Sequence, residues 1–358
     1  MHTQFGRSAL GLSFSSEHKG KTMKKVLFAT TALIATAGIA AADGHTGVAL
    51  SGSAEMGVIG GDNTNTQFWT HVDVTFTLSG ETDGGITFGA AVDLDEAGDA
   101  IDTADGRDGV AIFISGDFGT LTMGDTDGAL DFAMQEVAVN NAGSIADDET
   151  AHGGYLGSYG DGAYDGQILR YDYSIADFAF AVSVELDDAD VRDVGYALGA
   201  TYNLSFGGGS ATFGAGVQFI DAVNYNPGNT NAFTGQDLDG EYLIYGVSAS
   251  VSLDNGLAVG IAYTDYQSEE AVADDEYTHI GFGAGYTFDA ITVSANYGMW
   301  EIDADGAAPD EEITGYGLAA AYDFGGGLSA HLGYNMTETD APAGADNSTW
   351  SLGLAMSF

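Results

Sequence analysis

The sequence predicts an all-β protein, a closed antiparallel 16-stranded transmembrane β-barrel. Three observations predict it. Downstream of residue 42 the chain breaks into about sixteen runs of period two, the connections between runs alternate between short and long, and one phase of most runs is free of charge. A period of two marks a strand whose successive side chains point to opposite faces.

The last run states the pattern most plainly. In "WSLGLAMSF", Trp350, Leu352, Leu354, Met356 and Phe358 share one phase, and Ser351, Gly353, Ala355 and Ser357 share the other. The first run, Val48 to Gly60, aligns Val48, Leu50, Ala54, Met56 and Val58. The second, Thr66 to Gly80, sets Phe68, Val72, Val74, Phe76 and Leu78 against His71, Asp73, Thr75 and Thr77. Further runs lie near 86–95, 109–115, 119–124, 167–174, 178–186, 194–204, 210–220, 242–253, 257–266, 277–288, 291–300, 313–324, 328–336 and 349–358. Most are close to the ~9–11 tilted residues that cross a bilayer as a strand.

The connections narrow the architecture. Short turns fall at "ETDGG" (81–85), "GDF" (116–118), "IAD" (175–177), "SFGGG" (205–209), "DNG" (254–256), "DA" (289–290) and "GGG" (325–327). Their Asp, Asn and Gly residues suit the positive φ of tight hairpins. Long polar stretches separate them, the longest from Asp125 to Gly166. Short turns on one rim and long loops on the other are the habit of outer-membrane barrels.

The charge-free phase completes the case. Glu55, Asp73, Asp93, Arg170, Asp172 and Glu185 all fall on the opposite phase, and Asp265, at a loop end, is the one exception seen. Sixteen apolar faces in a soluble protein would need a second packing layer, and no helical period outside the first 42 residues supplies one. A closed barrel facing lipid needs none and leaves no open strand edge. Aromatic residues at strand ends beside the short turns (Tyr202 and Phe206, Tyr286 and Phe288, Tyr322 and Phe324) suit a membrane–water interface.

Residues 1–42 read differently. Lys24 and Lys25 precede the apolar "VLFATTALIATAGIA", and Ala40 to Ala42 form an A-x-A end before Asp43. That is the pattern of a cleaved signal peptide. Met23 is the more natural start, with residues 1–22 an over-extension, and 43–358 is the expected barrel domain. Five of the eight basic residues lie in the leader, as does Glu17, one of the 53 acids. The remaining chain carries three arginines against 52 carboxylates, a net charge of −49. Such a surface excludes nucleic acid as a partner and attracts cations. There is no cysteine, so no disulfide framework stabilises the exported chain.

No catalytic constellation emerges, so the chain reads as a non-enzyme. There is no G-x-S-x-G elbow, and His45, His71, His152, His279 and His331 are scattered without helical i,i+4 pairing. No cofactor is expected. The Asp-dense "DLDEAGDAIDTADGRDG" (93–109) makes Asp99, Asp102, Asp105 and Asp108 weak candidates for a structural Ca²⁺, without EF-hand spacing.

The stretches "VALSGSAEMGVIGGD", "FTLSGETDGGITFGAAVDL", "FISGDFGTLTMGDTDGAL" and "ILRYDYSIADFAFAVSVEL", with the Phe-terminated last strand, resemble the Gram-negative general diffusion porins of alphaproteobacteria over essentially all of 43–358. The resemblance implies an outer-membrane homotrimer passing small hydrophilic solutes passively. It implies contact with outer-membrane lipid and lipopolysaccharide, and a terminal strand through which Phe358 is read by the barrel-assembly machinery. It also implies a third loop folded inward to narrow the channel. Here that loop carries Asp125, Asp127, Asp131, Glu136, Asp147, Asp148 and Glu149, and "GALDFAMQEVAV" (128–139) can form a short helical turn anchored by Leu130, Phe132 and Met134. Porins of this type usually oppose such a loop to a basic wall. Only Arg107, Arg170 and Arg192 could supply one here, and Arg170, beside Asp172 on the polar phase, is the best placed. The expected constriction therefore comprises the loop carboxylates with Arg170 and Asp172. The expected lumen wall includes Glu55, His71, Asp73, Asp93 and Glu185. Rings of carboxylates predict cation preference. Two alternatives are a solute-specific channel, for sugars for example, and an acidic barrel serving as anchor or adhesin.

Overall fold

The computed structural model describes residues 46–95, 110–156, 158, 168–186, 193–225, 238–269, 276–303, 310–340 and 346–358. The leader, the cation candidates Asp99, Asp102, Asp105 and Asp108, and the arginines Arg107 and Arg192 lie outside the described residues.

Sixteen strands close into one antiparallel barrel in which each pairs with its sequence neighbours and β1 pairs with β16. They are β1 (Thr46–Gly61), β2 (Gln67–Glu81), β3 (Thr87–Asp95), β4 (Val110–Gly116), β5 (Gly119–Gly124), β6 (Ile168–Ile175), β7 (Phe178–Glu185) and β8 (Gly195–Phe206). The second half comprises β9 (Gly209–Tyr225), β10 (Leu238–Leu253), β11 (Leu257–Ser268), β12 (Glu276–Phe288), β13 (Ile291–Asp303), β14 (Glu311–Gly325), β15 (Leu328–Thr339) and β16 (Asn347–Ser357). The expected runs and these strands agree to within a few residues at most ends. The seam is in full register, from Ser53 opposite Ser357 to Gly61 opposite Thr349.

The alternation sorts the side chains as the sequence predicts. Val48 is 70% exposed and Leu50 66%, on the outside, with Phe76, Ile112, Val182, Leu198, Val247 and Phe282. An apolar exterior spread over all sixteen strands suits acyl chains rather than water. Tyr286, Phe288, Tyr322 and Phe324 are exposed beside the short turns, where rings with polar tips favour an interface. Asp265 lies on this outer phase at the loop end of β11, where it accepts a hydrogen bond from the Tyr263 hydroxyl (3.0 Å).

The buried core is not between layers. It lies inside the cylinder, where part of the long third loop packs on the inner wall. The described residues of this loop include a short helix, α1 (Ala129–Ala133), and a 3-10 turn at Ile145–Asp147.

Candidate functional site

The lumen is shaped by how the third loop is held. Arg170, on β6, fastens its base. Its Nη1 donates to the Asp127 carbonyl (2.8 Å) and lies 3.8 Å from the Asp127 carboxylate, while Nε lies 3.6 Å from Asp172. The guanidinium sits 4.4 Å above the Phe132 ring, and Arg170 is only 1% exposed. A planar cation between two carboxylates and an aromatic face is well suited to burial. Glu185 is buried close beneath Gly128, at the start of α1.

From there a descending arm follows the wall. The Ala129 N–H is accepted by Ser183 Oγ on β7 (3.0 Å), and the Gln135 N–H by Ser248 Oγ on β10 (2.7 Å). Leu130 and Met134 are buried against this wall. Asn140 Nδ2 donates to the Gly256 carbonyl and to Thr287 Oγ1, both at 3.0 Å. Gly256 belongs to the short turn between β10 and β11, so the loop reaches the opposite rim. His331 Nδ1 then donates to the Gly143 carbonyl (2.9 Å).

At the tip, Ile145 is fully buried against Gly57 of β1 and Gly353 of β16. Ala146 (φ 60°) and Asp147 (φ 45°) are both left-handed, uncommon for side chains with a Cβ. The Ala146 N–H is held by Glu55 Oε2 (3.3 Å).

The returning arm climbs the wall towards the long-loop rim. Asp148 accepts from Thr349 Oγ1 (2.6 Å), and its carbonyl from Asn335 Nδ2 (2.5 Å). Asn296 Nδ2 donates to the Glu149 carbonyl (2.7 Å), and His152 Nε2 donates to Asn296 Oδ1 (2.5 Å). His279 Nε2 donates to the Gly154 carbonyl (2.8 Å), and Trp300 Nε1 to that of Leu156 (3.2 Å). The two arms are also tied to each other. The Glu149 carboxylate accepts from Asn141 Nδ2 (2.6 Å) and Ser144 Oγ (2.5 Å), and Glu136 accepts from the Tyr155 hydroxyl (2.9 Å).

Glycine makes the close approach possible. At Gly298 of β13 the space for a Cβ is filled by the Gly154 backbone, and at Gly283 of β12 by the Val137 carbonyl. Only a residue without a side chain leaves room there.

The loop therefore covers the inner face from β7 round to the β1–β16 seam. The wall of β1–β3 keeps Glu55, His71, Asp73 and Asp93 half-exposed, with Thr75 Oγ1 donating to Asp93 (3.1 Å). Of the expected constriction residues, Asp125, Asp131, Asp148, Glu149 and Arg170 are buried, while Asp127, Glu136, Asp147 and Asp172 are partly exposed. Burial pushes the Asp148 and Glu149 carboxyls above the usual range, and the charge of Asp147 pushes both further the same way. Two further carboxylates of the 125–166 loop, Asp161 and Asp165, lie outside the described residues.

Sequence reasoning missed two groups. Asn296, Asn335, His279 and His331 look like ordinary wall residues, yet they carry the loop. Tyr242, Tyr266, Tyr277 and Trp300, inward on β10–β13, look like a channel lining but are at most 2% exposed and form an apolar cluster with Tyr155. The available signal was a large ring on an otherwise small-residue phase, always near a long loop.

The Gram-negative porin family profile matches residues 29–342. A porin of Rhodobacter capsulatus is 30% identical over 297 residues, covering 79% of this chain and 91% of its own. A refined porin structure superposes with a TM-score of 0.65 at 26% identity, covering 87% of this chain and all of its own. An anion-selective porin from Comamonas acidovorans shares the fold, with a TM-score of 0.61, 14% identity, and coverage of 87% of this chain and all of its own. Family, fold and lumen agree: this chain belongs to the Gram-negative porins, general diffusion channels of the outer membrane.

Proposed function

We propose that this porin passes small hydrophilic solutes passively and prefers cations. One observation carries the preference. Among the described residues Arg170 is the only lysine or arginine, and it is buried and paired with Asp127 and Asp172. It offers no free positive charge to a passing anion, while Glu55, Asp73, Asp93 and Asp147 keep partial exposure. Carboxylates lining a water-filled neck favour cations, and a screening length of ~8 Å at physiological salt leaves much of that field intact in a narrow passage. The porin fold does not fix the sign, since a relative of the same architecture is anion-selective.

The reversal potential across a KCl gradient tests this. The expected sign is that of cation preference, and the double change Asp73→Asn and Asp93→Asn should lower the cation-to-anion permeability ratio by about twofold or less, because the remaining acids still act. Anion preference, or the absence of an ohmic channel, would reject the proposal. The sugar-channel reading is disfavoured, because the inward rings of β10–β13 are buried and offer no stacking ladder. We further propose a homotrimer, since a structural neighbour, OmpT of Vibrio cholerae, is solved in a trimer form. Signal-peptide cleavage before Asp43, contact with lipopolysaccharide and delivery through Phe358 complete the proposal.

A further inference from the structure

We infer that the stacked rings of Trp69 and His71 on β2 discriminate among cations, favouring organic cations with a flat or methylated charged group over hydrated inorganic ions. This rests on the cation-preferring reading above. Both residues lie on the inner phase and are partly exposed. Their ring centroids are 6.3 Å apart with 18° between planes. Trp69 Nε1 donates to Glu55 Oε2 (3.2 Å), which fixes the indole against the wall. The same oxygen holds the Ala146 N–H at the loop tip, so the rings stand where the loop meets the wall.

The surroundings are acidic. Glu55 is the cross-strand partner of His71, and Asp73 is the next inward residue of β2. The other inward rings differ. Those of β10–β13 are buried under the loop, and Phe113 of β4 faces Gly89 and Thr122 without an acid beside it in register. Trp69 is thus the described inward ring that combines exposure with adjacent carboxylates. An aromatic face attracts a cation, but a small metal ion keeps its water shell at that distance. A guanidinium or methylated ammonium is weakly hydrated and can lie directly on the ring.

Bi-ionic reversal potentials of the full channel, with methylguanidinium chloride opposite KCl, test the inference. Trp69→Leu removes the ring and Trp69→Phe keeps one, while both lose the hydrogen bond to Glu55. The methylguanidinium-to-K⁺ permeability ratio should fall about two- to fivefold in Trp69→Leu and stay near the original value in Trp69→Phe. An unchanged ratio in Trp69→Leu, or an equal fall in both variants, overturns the inference. A second readout uses the unaltered protein. Methylguanidinium added to KCl should depress K⁺ conductance along a saturating curve, and a strictly linear dependence also overturns it. The KCl-gradient reversal potential of the unaltered channel separates the two claims. If it reports cation preference while the methylguanidinium tests fail, only the role of the rings is lost.

Discussion

The inner wall beneath the third loop and the inner wall of β1–β3 share one backbone geometry but differ in chemistry. Under the loop the inward positions include glycines that admit its backbone, serines, amides and imidazoles that bond its carbonyls and N–H groups, and a cluster of buried rings. Beyond the loop tip they are His71, Asp73 and Asp93, with charge or titratable nitrogen partly open to water. The first wall is built to be covered and the second to be wetted. Shape is therefore set mainly by the covered strands and charge mainly by β2 and β3, with Glu55 of β1 joining the two through its bond to the Ala146 N–H.

The largest test of that division is at the loop base. Arg170→Met keeps the length of the side chain but leaves Asp127 and Asp172 facing each other in a largely buried place. Stability should fall by about 3 kcal/mol, read as a lower temperature for heat-induced loss of the folded band on gels. A smaller effect is expected higher on the covered wall. Gly298→Val pushes a side chain into the Gly154 backbone, which should cost about 1–3 kcal/mol and raise open-channel current noise as the returning arm lifts. Thr77→Val, on the wetted wall, should stay within about 0.5 kcal/mol and leave the noise unchanged. Equal effects at the two positions would erase the distinction between the walls.

The smallest effect is on pH. Asp148 and Glu149 have carboxyls held above the usual range by burial, so the anchored loop binds those protons more tightly than a free loop does. Anchoring is then fully present at and below the ordinary carboxylate range and weakens as pH rises through the raised values. Hydrogen exchange at the backbone of residues 149–154 should accelerate from acid to neutral pH beyond its intrinsic rate. Glu149→Gln, which keeps partners for Asn141 and Ser144, should remove most of that dependence.

Most of the barrel was legible from residue order. Alternation in "WSLGLAMSF" or "FWTHVDVTFTL" reports which face meets acyl chains, because a single misplaced charge there is costly. The helical turn in the loop was legible for a similar reason: Leu130, Phe132 and Met134 are apolar residues in an otherwise acidic segment, and α1 forms there. The loop's route was not legible. Gly283 and Gly298 look like strand glycines on an uncrowded face, and only the folded chain brings Val137 and Gly154 onto them. Nor does the charge of Asp148 or Glu149 reveal that they turn into the wall, because a carboxylate in an acidic loop looks the same whether it is solvated or buried. Trp69 was visible as a residue of the second run, but its hydrogen bond to Glu55 depends on the register of β1 and β2.

The join between β1 and β16 has a further consequence. Phe358 and Gly52 exchange backbone hydrogen bonds, at 2.9 Å from the Phe358 N–H and 3.4 Å from the Gly52 N–H. The first strand of the barrel is thus closed against the sixteenth by contacts that span nearly the whole barrel sequence. Until those two strands meet, two raw sheet margins stay available to any neighbouring polypeptide, so closure of this one seam is what removes the barrel's last route to aggregation.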